Sequence, residues 1–299
     1  MRYNGLGLIA CAACIAGAQP SQWNFDGNLN AAFGSGILDY FDGPGGDTDN
    51  GTSFGTASSF GLPSTPDGGD PMVMSFPKMT NNLMGYVCLH GTSPNGGGAY
   101  INEYTLIWDV YIPGSSYSAE GYLGFYNTNE ANNNDGDIFL RTSDGGIGIS
   151  GVYNGVFSAD TWHRVAITFT VDTVDDTVDL RKYIDGTLVG IQNEIMGLDG
   201  RWSLYSIDDV ASPWFVLFGE DTGDSMSGYL ASVYYEDRAL SGAEIGALGC
   251  VSSLGATSAG PDCSTQDPAC DNPADLNNDG ALDIFDVIEY LSLFDQGCG

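Results

Sequence analysis

Tyr104-Thr-Leu-Ile-Trp-Asp-Val-Tyr-Ile112 and Trp162-His-Arg-Val-Ala-Ile-Thr-Phe-Thr-Val171 are the two stretches that decide the fold. In the first, Leu106, Trp108, Val110 and Ile112 fall on one face, and Thr105, Asp109 and Tyr111 on the other. In the second, Val165, Ile167, Phe169 and Val171 share a face. A period of two is that of a strand with one face on a core. Val178–Ile184 and the run from Leu188 flank Asp185-Gly186, whose residues tolerate the positive φ of a tight hairpin turn. Ser212–Phe218 and Tyr229–Tyr235 are further strand-like runs. Many short strands separated by turn signals predict an all-β, two-sheet sandwich of the jelly-roll kind. One short helix interrupts them. Ser241 and Glu244 form a capping box, Ile245 and Leu248 give an apolar side, and Gly249 ends it.

Composition agrees. The 299 residues include 43 glycines, suited to turns and short strands, and are 42% hydrophobic, enough for a core. Lys+Arg number 8 against 39 Asp+Glu, for a net charge of −31. Such a surface repels phosphate backbones and anionic lipid heads and attracts cations, calcium above all, so nucleic acid is not an expected partner. The two histidines, His90 and His163, leave little room for histidine catalysis or a multi-histidine zinc site.

The chain opens like an export signal: Arg2 as the only early charge, an apolar stretch from Leu6 to Ile15, and small residues Ala16-Gly17-Ala18. Cleavage between Ala18 and Gln19 is expected, and with it a secreted or cell-surface location. Leu8-Ile9-Ala10-Cys11 is the competing lipoprotein reading. No segment reaches the roughly 18 apolar residues of a transmembrane helix. Cleavage would leave five cysteines, Cys88, Cys250, Cys263, Cys270 and Cys298, an odd number with pairing open. Residues 1–18 are thus read as a signal peptide, 19–249 as the sandwich, 250–274 as a Ser-, Pro- and Cys-containing linker and 275–299 as a separate module.

Three phrases in the large domain carry a resemblance. Thr161-Trp-His-Arg-Val-Ala-Ile-Thr-Phe169, Tyr183-Ile-Asp-Gly186 and Gly228–Ser241 running into Ala243-Glu-Ile245 occur in the order found in the laminin-G-like and concanavalin A-like lectin/glucanase families of secreted bacterial proteins. The resemblance implies the sandwich fold and leaves the ligand open. Most of the motif residues have structural readings: Trp162 as a core anchor, His163 and Arg164 as surface or turn residues, Asp185-Gly186 as turn chemistry, and Arg238 as the partner of a local carboxylate.

Retaining glycoside hydrolysis needs two carboxyls about 5 Å apart. Glu103 and Asp109 lie six positions apart without a third member, and Glu220-Asp221 would point to opposite faces of a strand. Catalysis is therefore not expected. Two loops are candidate ligand sites. Asn127, Asn129, Asn133, Asp135 and Asp137 supply dense oxygen ligands of the kind calcium takes, a solvated hairpin connection being the competing reading. Glu220, Asp221 and Asp224 could form a site at a loop rim, where laminin-G-like and pentraxin-like relatives hold calcium or ligand. Trp23, Trp202, Trp214 and Tyr205 could form a sugar platform if exposed.

Asp275-Leu-Asn-Asn-Asp-Gly-Ala-Leu-Asp-Ile-Phe-Asp286 fits an EF-hand loop. Asp275, Asn277, Asp279, Asp283 and Asp286 stand at positions 1, 3, 5, 9 and 12, Gly280 at the bend, and the carbonyl of Ala281 at position 7. Ile284, Val287, Ile288 and Leu291 follow at helical spacing. This resembles the dockerin repeat of secreted bacterial proteins, present here once rather than twice. Together these readings predict a secreted, non-catalytic binding or adhesion protein with calcium as cofactor and a carbohydrate or extracellular polymer as partner. The C-terminal module could engage a surface or scaffold protein. A polysaccharide hydrolase or its accessory subunit, and a structural cell-surface protein, are the alternatives.

Overall fold

The alternation over 104–112 and 162–171 becomes the longest paired region of the molecule. A computed structural model describes residues 20–81, 84–117, 121–129, 136–195, 197–208, 214–219 and 224–263. The strands are β1 (Ser21–Trp23), β2 (Ile37–Tyr40), β3 (Ser53–Thr56), β4 (Met72–Phe76), β5 (Tyr86–Leu89), β6 (Glu103–Tyr111), β7 (Tyr122–Asn127), β8 (Asp137–Arg141), β9 (Ile147–Ile149), β10 (Val152–Asn154), β11 (Trp162–Asp172), β12 (Thr177–Ile184), β13 (Thr187–Ile195), β14 (Trp214–Leu217) and β15 (Gly228–Glu236). The helices are α1 (Asp47–Gly51) and α2 (Gly242–Leu248). An eight-stranded sheet runs β13-β12-β11-β6-β15-β4-β3, with β1 beside β15. A seven-stranded sheet runs β10-β9-β8-β7-β14-β5-β2. Every pairing between these strands is antiparallel, and the two sheets form a sandwich.

The core between the sheets is built from the expected faces. Leu106, Trp108, Val110, Val165, Ile167 and Phe169 pack against Leu123, Phe125, Ile138, Leu140, Phe215 and Leu217. Truncating a buried aromatic here would cost about 3–5 kcal/mol. A register shift between Gly124 and Tyr126 turns two consecutive aromatics, Phe125 and Tyr126, into this core. Tyr126 remains satisfied there: its hydroxyl is 2.8 Å from that of Tyr104, which donates to the Trp202 carbonyl. At the β12–β13 turn both central residues have positive φ, 51° at Asp185 and 80° at Gly186, as the hairpin signal requires. The capping box of α2 is present, with Ser241 accepting from the Glu244 N–H and the Glu244 carboxylate accepting from the Ser241 N–H.

The outer face of the eight-stranded sheet departs from the expectation of a polar, wet surface. Ile107, Ala166, Tyr183 and Tyr234 bury against Ile245 of α2 and Ala256. Tyr111, Trp162 and Ala231 bury against Val251. Residues 250–263, whose Ser, Gly and Pro content reads as linker, lie on this face, held by the Cys250–Cys263 disulfide. Backbone and side-chain hydrogen bonds do what apolar content could not. Asp67 accepts from Ser252 and Ser253, and Gln22 Oε1 accepts from the Thr257 N–H and hydroxyl.

Arg164, expected at the surface, is 0% exposed beneath this segment. Its Nε and Nη2 donate to Asp109 at 2.7 and 2.9 Å. The remaining donors reach the carbonyls of Leu248, Ser258 and Gly255 at 2.7, 3.0 and 3.2 Å. All five guanidinium N–H groups are used, and Ser232 adds a hydroxyl to Asp109 at 2.9 Å. His163 is also buried, its Nδ1 2.6 Å from Asp185 and its Nε2 accepting from the Ser158 N–H. Arg238 meets its expected carboxylates, Glu236 and Glu244.

Candidate functional site

With the centre of one outer face covered, the outer face of the seven-stranded sheet is the more open of the two. On β7, Leu123 points to the core and Tyr122 and Gly124 to the outside. On β8, Ile138 and Leu140 are core residues, and the half-buried Phe139, which also packs against the core, and Arg141 alternate with them. The register sets Tyr122 opposite Arg141, Gly124 opposite Phe139, and Gly148 opposite both Phe139 and Tyr153. The result is an aromatic cluster on four strands. Tyr122 lies edge-on to Phe139 at 6.2 Å between centroids and tilted to Tyr153 at 6.0 Å. All three rings are half-buried. A Cβ at Gly148 would collide with the Val152 carbonyl.

Arg141 lies over the Tyr153 ring, 4.1 Å from its centroid. Both its Nε and Nη2 are held by Asp144, which also accepts from the Gly146 N–H. Burial first, and then the neighbouring Tyr122, push the Tyr153 hydroxyl up to about 12, so it is a hydrogen-bond donor at any physiological pH. Farther along the same face, Val87 and Val216 lead to Leu89, Trp214 and the 59%-exposed Ile37.

The described ends of the two loops singled out in the sequence lie along this face. Asn127 and Asp137 are cross-strand neighbours at its edge and both are buried. Asp137 faces Arg201 at 3.7 Å. The Asn127 Oδ1 is buried without a hydrogen-bond partner. Thr128 closes the loop base: its N–H donates to the Gly136 carbonyl and its hydroxyl accepts from the Gly136 N–H. Asn129 is buried beside them. The Asp224 carbonyl accepts from the Gly124 N–H, which brings the second loop alongside β7, and the Asp224 charge is among those felt by Tyr153. Asn133, Asp135, Glu220 and Asp221 lie outside the described residues. So do Ala18 and Gln19, and the whole loop of Asp275, Asn277, Asp279, Ala281, Asp283 and Asp286.

The remaining candidates are structural. Trp23 and Trp202 are core residues with no exposure. Asp109 is consumed by Arg164. Burial holds His90 down to about 4, and Cys88 is a buried free thiol whose pKa burial raises. A recess of about 480 Å³ at the β11–β12 hairpin is lined by Thr170, Asp172, Asp175, Asp179 and Asn193. Two of its three carboxylates are already engaged: Asp179 by Arg181, and Asp172 by the N–H groups of Val174 and Asp175. Among the described residues no helix is long and apolar enough to cross a membrane. Tyr122, Phe139 and Tyr153 were not among the sequence candidates. Their only signal is that two of them alternate with core positions.

No protein-family profile matches the chain, and no curated protein matches it. Solved structures of similar shape include a botulinum neurotoxin type G receptor binding domain, at 11% identity and TM-score 0.40, covering 77% of this chain and 50% of that one. A botulinum neurotoxin serotype D ligand binding domain in complex with N-acetylneuraminic acid is similar at 15% identity and TM-score 0.41, covering 77% of this chain and 50% of that one. A Trypanosoma rangeli sialidase is similar at 13% identity and TM-score 0.37, covering 59% of this chain and 29% of that one. The chain thus spans half or less of the length of these proteins.

Proposed function

We propose that this is an exported, non-catalytic binding protein that holds a saccharide on the outer face of the seven-stranded sheet. The observation that carries the reading is the Tyr122, Phe139 and Tyr153 cluster, half-buried on a sheet whose counterpart is covered over its centre by α2 and residues 250–263. Aromatic rings stack on the apolar faces of sugars, and the adjoining Asn127 and tyrosine hydroxyls supply directional hydrogen bonds. In the same proposal the Asp275–Asp286 loop is a calcium hand joined to the sandwich, supported by its ligand spacing. A glycan array probed with the full chain, with and without calcium, tests it. Binding that falls at least tenfold in Tyr122→Ala and Tyr153→Ala supports the reading. Binding that persists unchanged in both variants, or no bound glycan at all, overturns it.

A further inference from the structure

Building on that reading, we infer that the saccharide is uncharged, and that this face discriminates against sugars bearing carboxylate or sulfate groups. Recognition of an anionic sugar in water takes an available cation, most effectively a guanidinium fork that grips two oxygens. The chain has 8 Lys and Arg in all. Every arginine among the described residues is already committed to a carboxylate: Arg141 to Asp144, Arg164 to Asp109, Arg181 to Asp179, Arg201 to Asp137, and Arg238 to Glu236 and Glu244. Lys182 is fully buried and donates inward to the Val152 carbonyl at 2.8 Å. Lys78 follows β4 of the other sheet, away from this face.

On the face itself the only cation within the aromatic cluster is Arg141. Its flat side is taken by the Tyr153 ring and its fork by Asp144. To grip a ligand carboxylate it would have to leave both. Asp144, 49% exposed, holds Arg141, and Asp137 at the edge of the face holds Arg201, so each cation here already has its carboxylate. An anionic sugar entering here must displace one of these pairs, on a chain whose net charge is −31. A neutral sugar meets rings, amides and hydroxyls, none of which needs a counter-charge.

Titrating the full chain against matched glycan pairs tests this. Neutral galactan oligosaccharides would be set beside oligogalacturonides of equal length, and lactose beside its sialylated form, each at 20 and 500 mM NaCl. The neutral member of a pair is expected to bind at least tenfold tighter at low salt, with the gap narrowing at high salt. In Asp144→Asn, which frees Arg141, the neutral-to-anionic affinity ratio is expected to fall several-fold. An anionic member that binds as tightly as its neutral partner, in a manner lost in Tyr153→Ala, overturns this inference and leaves the proposed site standing. No binding by any member of the pairs or the array overturns the proposed site itself.

Discussion

The two outer faces of the sandwich use the same ion-pair chemistry to opposite ends. On the eight-stranded sheet, Arg164 and Asp109 form a pair in which neither side chain has any exposed surface. On the seven-stranded sheet, Arg141 and Asp144 form a pair with 27% and 49% of their side-chain surfaces in water. The first pair is the socket into which the C-terminal segment closes. Three backbone carbonyls from residues 248–258 complete the arginine, and without them it could not stay buried. The second pair holds the guanidinium over the Tyr153 ring and neutralises the one cation of the aromatic cluster. A charge pair is a lock where water is excluded and a local fixture where water is present.

The sharpest way to break this comparison is to remove Arg164. Arg164→Met leaves the Asp109 carboxylate buried and strips the Leu248, Gly255 and Ser258 carbonyls of their donor. The expected cost is about 3–5 kcal/mol, the usual penalty for orphaning one partner of a buried pair. Arg164→Met/Asp109→Leu should recover much of it, because the uncompensated charge is then gone. Equilibrium denaturation of the two variants decides it. A loss under 1 kcal/mol in the single variant would mean that the pair is not the socket described.

The fold was legible because its longest strands obey a strict period of two. Leu106, Trp108 and Val110, and Val165, Ile167 and Phe169, could belong to little else. The covered face was not legible, because Asp109, Arg164 and the Ser-Gly-Pro stretch after residue 249 are polar and polar patterns read as surface. Burial there rests on one side chain meeting carbonyls some 84 to 94 positions away, a pairing that no local period records. The candidate face was half legible. Its acidic loops announce themselves through dense Asn and Asp, and the structure brings Asn127, Asp137 and Asp224 to one sheet. The rings were missed because Tyr122, Phe139 and Tyr153 are single residues on separate short strands. Of the tryptophans that drew attention, Trp23 and Trp202 fill the core, and Trp214 lies half-buried farther along the candidate face.

Between the two faces lies a third setting, a cation with no carboxylate partner. Lys182 occupies an inward position on β12 between Leu180 and Ile184, and burial lowers its pKa to about 8. The unfolded chain keeps that proton up to the ordinary lysine value of about 10.4. Between these values the unfolded state binds more protons, so stability rises with pH through the window, and below pH 8 the burial penalty is present in full. Lys182→Met should therefore be more stable than the wild type by about 2 kcal/mol at pH 7. The difference should shrink as the pH is raised toward 9.5. Paired urea titrations at pH 7.0, 8.5 and 9.5 measure it. A constant difference across the three would show that the ammonium is not strained by burial.

The smallest expected effect is on the open face. Arg141→Gln removes a pair whose two members are already in water, and exposed pairs contribute about 0–1 kcal/mol. For a domain of this size 1 kcal/mol corresponds to about 2–4 °C in Tm. The variant should therefore unfold within about 2 °C of the wild type, whereas Arg164→Met falls far below it. What Arg141→Gln should change is the surface. The Tyr153 ring loses the guanidinium packed on it, Asp144 loses its partner, and the face gains a full uncompensated negative charge. Exclusion of carboxylated sugars should then deepen while the fold stays intact, so calorimetric scanning and glycan titration should move independently. If instead Arg141→Gln lowered Tm as far as Arg164→Met does, the aromatic face would be a structural seam like its covered counterpart, and the contrast between the two sheets would fail.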